Sequence, residues 1–96
     1  MEKVYENALV IELRKNGLKA EPQQPVEVLY QSQVVGEFFT DILVEDTVIL
    51  ELKATTEHHE VFTAQCLNYL KATDKPLCLL LNFEKPRVDI KRYRRS

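Results

Sequence analysis

Three charged side chains interrupt two apolar runs in the middle of the chain, within F-F-T-D-I-L-V-E-D-T-V-I-L-E-L-K. Asp41 lies in the first run, and Glu51 and Lys53 lie in the second. A charge among Ile, Leu, Val and Phe side chains is costly unless it is paired, hydrogen-bonded or bound to a metal ion. The D-x9-E-x-K spacing supplies two hard oxygen ligands and an amine that can handle a proton. Metal-assisted phosphodiester hydrolysis requires these groups, so the pattern predicts that chemistry.

The loop between the two runs decides whether the carboxylates meet. An antiparallel hairpin with a three-residue loop at 45–47 sets Asp41 directly opposite Glu51. A two-residue loop would set Asp41 opposite Leu50 and send the two carboxylates to opposite faces of the sheet. We therefore expect the three-residue loop or a compensating β-bulge, the second because Thr47 fits poorly in a left-handed loop conformation.

Length and composition indicate one domain. The chain has 96 residues, of which 45% are hydrophobic and 29% charged, and this size and balance suit a single core over residues 1–96. Its apolar runs fall far short of the roughly 20 residues that a membrane helix needs, and no signal-peptide pattern is present, so we expect a cytoplasmic protein without a membrane partner. Cys66 and Cys78 lack a C-x-x-C spacing and are expected to be buried as small apolar side chains rather than to form a disulfide or zinc site.

Charge is distributed unevenly along the chain. The net charge is −2, yet six of the 13 basic residues lie near the C-terminus, while acids are concentrated in the middle. A basic strip of this kind can hold the phosphates of a nucleic acid, and the alternative is a solvated tail that keeps the protein soluble. The residues predicted to bind nucleic acid are Arg87, Lys91, Arg92, Arg94 and Arg95.

Periodicity predicts two helices. Apolar residues recur at three- and four-residue spacing from Glu2 to Asn16, and Gly17 follows as a stop signal. A second helix is predicted from Glu57 to Thr73, closed by an Asp-Lys-Pro turn. His58 and His59 open this second helix without ligand-like spacing to another histidine, so surface or capping roles are expected for them.

Four or five strands complete the pattern. The first carries Val26, Val28 and Tyr30 on one face and is entered through a turn at P-Q-Q-P. Further strands are predicted at 34–44, bent at Gly36, at 48–54, and at 77–83, the last buried on both faces. Residues 87–94 are expected to form an edge strand with Val88 and Ile90 facing inward. The order predicts an α/β (α+β) fold with a mixed sheet flanked by two helices, in which the strand after the second helix runs parallel to the third.

This element order, with D-I-L-V-E-D-T-V-I-L-E-L-K, resembles the PD-(D/E)XK nuclease superfamily, whose restriction-endonuclease-like core is α-β-β-β-α-β. The chain also resembles the GxxExxY proteins of that superfamily through E-K-V-Y-E-N-A-L, F-F-T-D-I-L-V-E-D and L-L-L-N-F. The resemblance covers essentially the whole chain. It implies a divalent-metal nuclease with Asp41, Glu51 and Lys53 at its centre.

The sequence departs from the family's pattern at the start of the chain. Glu2 and Tyr5 occupy the Glu and Tyr positions of the naming motif, but its glycine would lie two residues before Met1, and the preceding helix of the family is absent. A shortened chain would leave apolar surface that a homodimer could cover. A truncated, inactive remnant is an alternative interpretation.

Two glutamates on the first helix compete for a place in the site. Glu2 and Glu6 share one helix face. Glu2 matches the naming motif, whereas Glu6 belongs to E-x-x-L-x-x-x-L-x-x-x-G, which resembles the first helix of archaeal Holliday-junction resolvases of this superfamily. Alternatively, both are solvated acids favoured by the helix dipole.

The second helix carries a further candidate pair. Gln65 and Tyr69 form Q-x-x-x-Y, which resembles the motif that follows the Glu-x-Lys strand in RecB-like nucleases, where it lies near the active site. The alternative is that Tyr69 is a core aromatic residue and Gln65 lies on the surface.

These residues together predict a Mg²⁺- or Mn²⁺-dependent nuclease that acts on DNA. Asp41, Glu51, the Leu52 carbonyl and a helix glutamate would hold the metal, and Lys53 would orient or deprotonate the attacking water. The rival hypothesis is an interaction module that binds a protein or nucleic acid without cutting it. Nothing in the sequence indicates a base-reading element.

Overall fold

Two helices cover opposite faces of one five-stranded sheet in the computed structural model, which describes residues 1–56 and 60–95. The elements of this part of the chain are α1 (Glu2–Lys15), β1 (Ala20–Tyr30), β2 (Gln33–Val44), β3 (Val48–Lys53), α2 (Glu60–Thr73), β4 (Leu77–Asn82) and β5 (Asp89–Arg94). The predicted order and α/β class are confirmed. Residues 57–59, which include His58, His59 and the predicted start of the second helix, lie outside the described residues.

The sheet has the strand order β1-β2-β3-β4-β5, and only the β3–β4 pair among these strands is parallel. The predicted parallel crossover through α2 is therefore confirmed. In the described residues neither helix has the length and apolar composition needed to cross a membrane.

Two apolar clusters hold the layers together. One lies between α1 and the sheet and includes Val10, Ile42 and Leu81. The other lies between α2 and the opposite face and includes Cys66, Cys78 and Leu80 among its members. Because Leu80 and Leu81 belong to different clusters, β4 is buried on both faces, as its continuous apolar run predicts. Cys66 and Cys78 are buried and free, which confirms the prediction for both.

The hairpin between β2 and β3 has the register that brings the carboxylates together. Val44 pairs with Val48 and Ile42 pairs with Leu50, so the loop has three residues, and extending this register past its last pair sets Asp41 against Glu51. Positive φ angles occur at Glu45 and Asp46 rather than at Thr47, and no bulge is needed between these strands. The chain thus avoids placing a β-branched residue in the left-handed conformation.

Helix α1 ends as the sequence predicts. Gly17 has φ +81, a conformation that glycine adopts without steric cost, and its N–H donates to the Arg14 carbonyl. The N-terminal end of α1 has no side-chain cap. The helix therefore depends on packing of its apolar face against the sheet.

The prediction for P-Q-Q-P is wrong. Instead of forming a turn before the first strand, Pro22 and Pro25 lie inside β1, which begins pairing at Ala20. An edge strand tolerates proline because one side of its backbone needs no ladder hydrogen bonds. Tyr30 is exposed rather than aligned with buried Val26, since the register of β1 shifts after Val28.

The prediction for the last strand is also wrong in detail. Residues 89–94 form an edge strand, but Val88 is 38% and Ile90 is 61% exposed. Ile90 pairs with Leu81 and so lies on the α1 side of the sheet, whereas Tyr93 pairs with Cys78 and packs against the cluster under α2. The inward residue of β5 is therefore Tyr93, whose hydroxyl bonds that of Thr63.

Candidate active site

Asp41 and Glu51 meet where β2 and β3 separate. Beyond the Ile42–Leu50 pair, hydrogen bonds from backbone N–H groups to side-chain carboxylates join the two strands. The Asp41 N–H donates to Glu51 Oε1 at 3.4 Å, and the Leu52 N–H donates to Asp41 Oδ2 at 2.7 Å. Each carboxylate is therefore fixed against the opposite strand, close to its neighbour.

Burial makes this carboxylate pair electrostatically unfavourable. Burial raises the pKa of Glu51 to about 8, and the charge of Asp41 contributes to the shift. Burial likewise raises the pKa of Asp41; the Leu52 N–H opposes the change, and the charge of Glu6 adds to it. Like charges at close range favour a proton or a bound cation between them.

Lys53 lies two residues after Glu51 and so on the same face of β3. Its Nζ is 4.7 Å from the centroid of the Phe62 ring, and its charge lowers the pKa of both Asp41 and Glu51 as a minor contribution. An aromatic face stabilises an ammonium group while leaving it available to other partners. The structure thus places the predicted amine beside the predicted carboxylates.

The two helix glutamates have different surroundings. Glu6 is only 3% exposed, and its charge raises the pKa of Asp41 more than that of Glu2 does. Glu2 is exposed in the first turn of α1. Of the two candidates, Glu6 is therefore the buried one with the larger electrostatic effect on Asp41, and burial argues against its being a solvated helix acid.

The Q-x-x-x-Y pair of α2 lies beside the same centre. The Gln65 side-chain amide donates to Tyr69 Oη at 3.0 Å, and the Tyr69 ring meets the Phe38 ring edge-on at 4.9 Å. Burial raises the pKa of Tyr69 to about 12, and the charge of Glu51 adds to it. Tyr69 is thus both a core aromatic residue and a neighbour of the carboxylates, so the two interpretations of its role are compatible.

The basic residues near the C-terminus lie away from this centre. Four of the five belong to β5 or follow it, and β4 separates that strand from β3. Arg95 forms an ion pair with Asp74 at the end of α2. The strip forms an outer edge of the sheet rather than a wall of the carboxylate site; its members, all exposed, are Arg87, Lys91, Arg92, Arg94 and Arg95.

The oxygen atoms at the centre suit a hard divalent cation in type but are incomplete as a ligand set. Within residues 1–56 and 60–95, no group of three His, Cys, Asp and Glu side chains is arranged to hold a metal ion. Asp41 and Glu51 supply two carboxylates. The further oxygens that Mg²⁺ or Mn²⁺ requires would come from Glu6, the Leu52 carbonyl and water.

Sequence reasoning missed two residues that hold Glu6. Gln23 Nε2 donates to Glu6 Oε1 at 2.6 Å, and Lys3 Nζ lies 2.5 Å from Glu6 Oε2. Lys3 is one helical turn before Glu6 and could have been identified by its i, i+3 spacing. Gln23 could not, because its contact depends on a left-handed backbone conformation that propensity does not predict.

Comparison with solved structures shows the same fold in larger proteins. The structure of SSO0001 matches with a TM-score of 0.74 at 15% identity, covering 98% of this chain and 50% of that chain. An alkaline exonuclease, LHK-Exo, from Laribacter hongkongensis matches with a TM-score of 0.69 at 14% identity, covering 98% and 56%. Its complex with dAMP gives 0.70 at 14% identity, with 98% and 55% covered. The chain thus spans about half the length of these proteins.

A search of curated proteins found no match to this sequence. The family model of the PD-(D/E)XK nuclease superfamily matches residues 1–93. This range includes both helices and all five strands of the described residues, apart from the last residue of β5. The chain belongs to the PD-(D/E)XK nuclease superfamily.

Proposed function

We propose that this protein is a nuclease that hydrolyses phosphodiester bonds in DNA with the help of Mg²⁺ or Mn²⁺. The observation that carries the proposal is the junction of β2 and β3, where Asp41 and Glu51 lie together with Lys53 on the same strand face as Glu51. A buried and a half-buried carboxylate of raised pKa, with an amine close by, match the needs of metal-assisted hydrolysis better than those of a structural ion pair.

Each residue has a distinct part in this proposal. Asp41, Glu51 and Glu6, with the Leu52 carbonyl, would hold the metal ion. When bound, the metal polarises the phosphoryl oxygen and lowers the pKa of a coordinated water. Lys53 would orient the attacking water through its ammonium group, which lies over Phe62 and close to the carboxylates, or would take a proton from that water as the neutral amine.

The surrounding residues shape the site rather than react. Tyr69 and Gln65 form a hydrogen-bonded wall on the α2 side and keep solvent from Glu51. The basic strip at β5 would hold phosphates of the DNA backbone away from the cleaved bond, which sets position without reading sequence. The dAMP complex of LHK-Exo is evidence that a protein of this fold accommodates a deoxyribonucleotide, and this supports DNA as substrate.

One observation favours the rival hypothesis of a non-catalytic interaction module. Both oxygens of Glu6 are engaged by Gln23 and Lys3, so a third carboxylate for the metal requires one contact to be given up. An ion-paired strand cluster in a binding domain would show the same contacts. Metal affinity that depends on Asp41 and Glu51 separates the two hypotheses.

Isothermal titration calorimetry with Mn²⁺ tests the proposal without knowledge of the substrate. The wild type is compared with Asp41→Asn, Glu51→Gln and a control, Asp89→Asn, which changes an exposed acid on β5. We expect both site variants to lose binding and the control to retain it. A folded wild type that binds no Mn²⁺ at millimolar concentration, with or without inorganic phosphate, would favour the interaction module.

A homodimer is part of the same proposal. Met1 at the N-cap of α1, and Val4 and Ile11 within α1, are each at least 60% exposed and recur at three- and seven-residue spacing on one face. An apolar row of this kind is commonly covered in the assembled protein. Light scattering across a concentration series checks this, and a molar mass that stays at 11.2 kDa would contradict it.

A further inference from the structure

A side chain of β4 holds the end of β3 that carries Lys53. The two strands pair as far as Lys53 and Asn82, and the Phe83 N–H donates to the Lys53 carbonyl at 2.8 Å. The Asn82 side chain then continues the pairing. Its Nδ2 donates to the Thr55 carbonyl at 2.8 Å, and its Oδ1 accepts the Thr55 N–H at 3.2 Å. Because a side-chain amide offers a donor and an acceptor as a peptide group does, it joins the segment after Lys53 to β4.

The Asn82 side chain is itself fixed in place. Its Oδ1 also accepts the N–H of Glu84, two residues along the chain, at 3.1 Å. Asparagine commonly bonds its own backbone at this spacing, and the bond restricts rotation of the side chain. The next residue, Phe83, stacks on Tyr5 of α1 with ring centroids 4.6 Å apart and an interplanar angle of 9°. The strand end that carries Asn82 is therefore anchored to the first helix.

Asn82 and Lys53 are cross-strand neighbours on the α2 face of the sheet. Leu80 packs in the cluster under α2, and strand alternation places Asn82 on the same face two residues later. Lys53 Nζ lies 4.7 Å from the centroid of the Phe62 ring of α2. Since Lys53 lies between the paired part of β3 and the bonded Thr55, its backbone has a fixed position from which its side chain reaches the ring.

Burial explains leucines of L-L-L-N-F, residues 79–83, but not its asparagine. Water could satisfy the backbone groups of a strand end that is not fully buried, so a side chain dedicated to them indicates that the backbone after Lys53 must hold one position. We infer that Asn82 is a positioning residue, which holds the end of β3 so that the Lys53 amine stays beside the carboxylate pair. The inference rests on the proposed function of Lys53 and goes beyond it by giving this block a part in the reaction.

The main test variant is Asn82→Ala, which removes the three side-chain hydrogen bonds and leaves the backbone pairing of β3 with β4. We expect kcat for DNA cleavage with Mn²⁺ to fall about 10-fold or more, because a displacement of about 1 Å at a reacting group can cost about 100-fold. KM for DNA and Mn²⁺ affinity should be unchanged, since Asp41 and Glu51 are held by bonds between β2 and β3. The matched control, Asn16→Ala, removes an amide bond to the Glu12 carbonyl at the end of α1 and should cleave as the wild type does.

A double-mutant cycle with Lys53→Met separates positioning from a general loss of structure. In the Lys53→Met background, Asn82→Ala should lower kcat little further, because Asn82 acts through Lys53. Equal losses in both backgrounds would overturn the inference. Should Asn82→Ala fail to fold, Asn82→Asp replaces it, since aspartate keeps the two bonds that Oδ1 accepts and loses only the donor to Thr55. A smaller fall in kcat is then expected, and none would overturn the inference.

NMR of the metal-free protein reports the position of Lys53 without any substrate. Protons held over the face of an aromatic ring have upfield-shifted resonances, so the ε-methylene protons of Lys53 should be shifted by Phe62 in the wild type and in Asn16→Ala. In Asn82→Ala these resonances should move toward those of an exposed lysine. Unchanged resonances in that variant would contradict the positioning role.

The outcomes separate this inference from the proposed function. A wild type that cleaves DNA, with an unchanged kcat in Asn82→Ala, would overturn the role of Asn82 alone. A wild type that cuts no DNA would overturn the proposed function and any part of Asn82 in it, even where NMR shows that Asn82 holds Lys53.

Discussion

Replacing Glu51 with glutamine tests the electrostatics of the site through stability alone. The Glu51 side chain is buried, and burial together with the charge of Asp41 raises its pKa from 4.5 to about 8. A carboxyl with a raised pKa binds its proton more tightly in the folded state. The contribution of Glu51 to the free energy of unfolding is therefore greatest at acidic pH, falls as pH rises above about 4.5, and stops falling once pH exceeds about 8.

The size of the effect follows from the pKa difference of about 3.5, since each pKa unit corresponds to about 1.4 kcal/mol. Ionised Glu51 thus costs the metal-free protein about 5 kcal/mol at strongly alkaline pH and about 3 kcal/mol at about pH 7. Glutamine keeps the shape of the side chain and can still accept the Asp41 N–H. We expect Glu51→Gln to be more stable than wild type by about these amounts, with little difference near about pH 4.

Urea unfolding in EDTA, followed by circular dichroism across this pH range, measures the difference. Glu12→Gln, which changes an exposed acid on α1, is the control and should track the wild type at every pH. The difference in unfolding free energy between Glu51→Gln and wild type is expected to change with pH, whether or not a constant offset is added to it. A difference that does not vary with pH would refute the raised pKa and the electrostatic account built on it.

Three further predictions concern the residues around the carboxylates. Lys53→Met should lower kcat at least about 100-fold while Mn²⁺ affinity is retained, as single-turnover cleavage and calorimetry would show; equal losses in both would contradict a role in proton handling. Tyr69→Phe should cost about 1 kcal/mol of stability through the lost Gln65 hydrogen bond and leave Mn²⁺ affinity unchanged, as denaturant unfolding and titration would show. Arg92→Ala combined with Arg94→Ala should raise KM for DNA and flatten its salt dependence without changing kcat; an unchanged salt dependence would show that the β5 strip does not bind phosphates.

Local rules predicted the hairpin that forms the site. The need to place Asp41 and Glu51 on one face determined a three-residue loop, and the paired strands have that register. Gly17 ends the first helix, and the run predicted as a strand at 77–83 forms a strand at 77–82 that is buried on both faces. Each of these features depends on alternation, helical periodicity or glycine conformation, which sequence records directly.

Features that depend on tertiary neighbours escaped prediction. Proline in P-Q-Q-P indicated a turn, yet the segment pairs along the sheet edge, where its missing N–H is harmless. Alternation alone could not show which face of β5 would be covered by helix α2. In the structure Tyr93, rather than Ile90, faces inward. The contact of Gln23 with Glu6 requires both the edge position and a left-handed residue, so no local rule identifies it.

Among the site residues, too, some are predicted by local sequence rules and others are distinguished only in the folded chain. Asp41, Glu51 and Lys53 were predicted because charges on apolar strands are exceptional, and the structure places them together. The choice between Glu2 and Glu6 could not be made from spacing, since both share a helix face. Burial, a property of the folded chain, distinguishes them.

Cleavage of DNA by the purified protein with Mn²⁺ tests the central claim most directly, using linear, branched and single-stranded substrates in parallel. Wild type and Asp89→Asn should produce strand breaks that EDTA abolishes, and identically purified Asp41→Asn should produce none. Breaks that persist in Asp41→Asn, or a wild type that binds Mn²⁺ and DNA but cuts none of these substrates, would contradict a nuclease centred on Asp41 and Glu51.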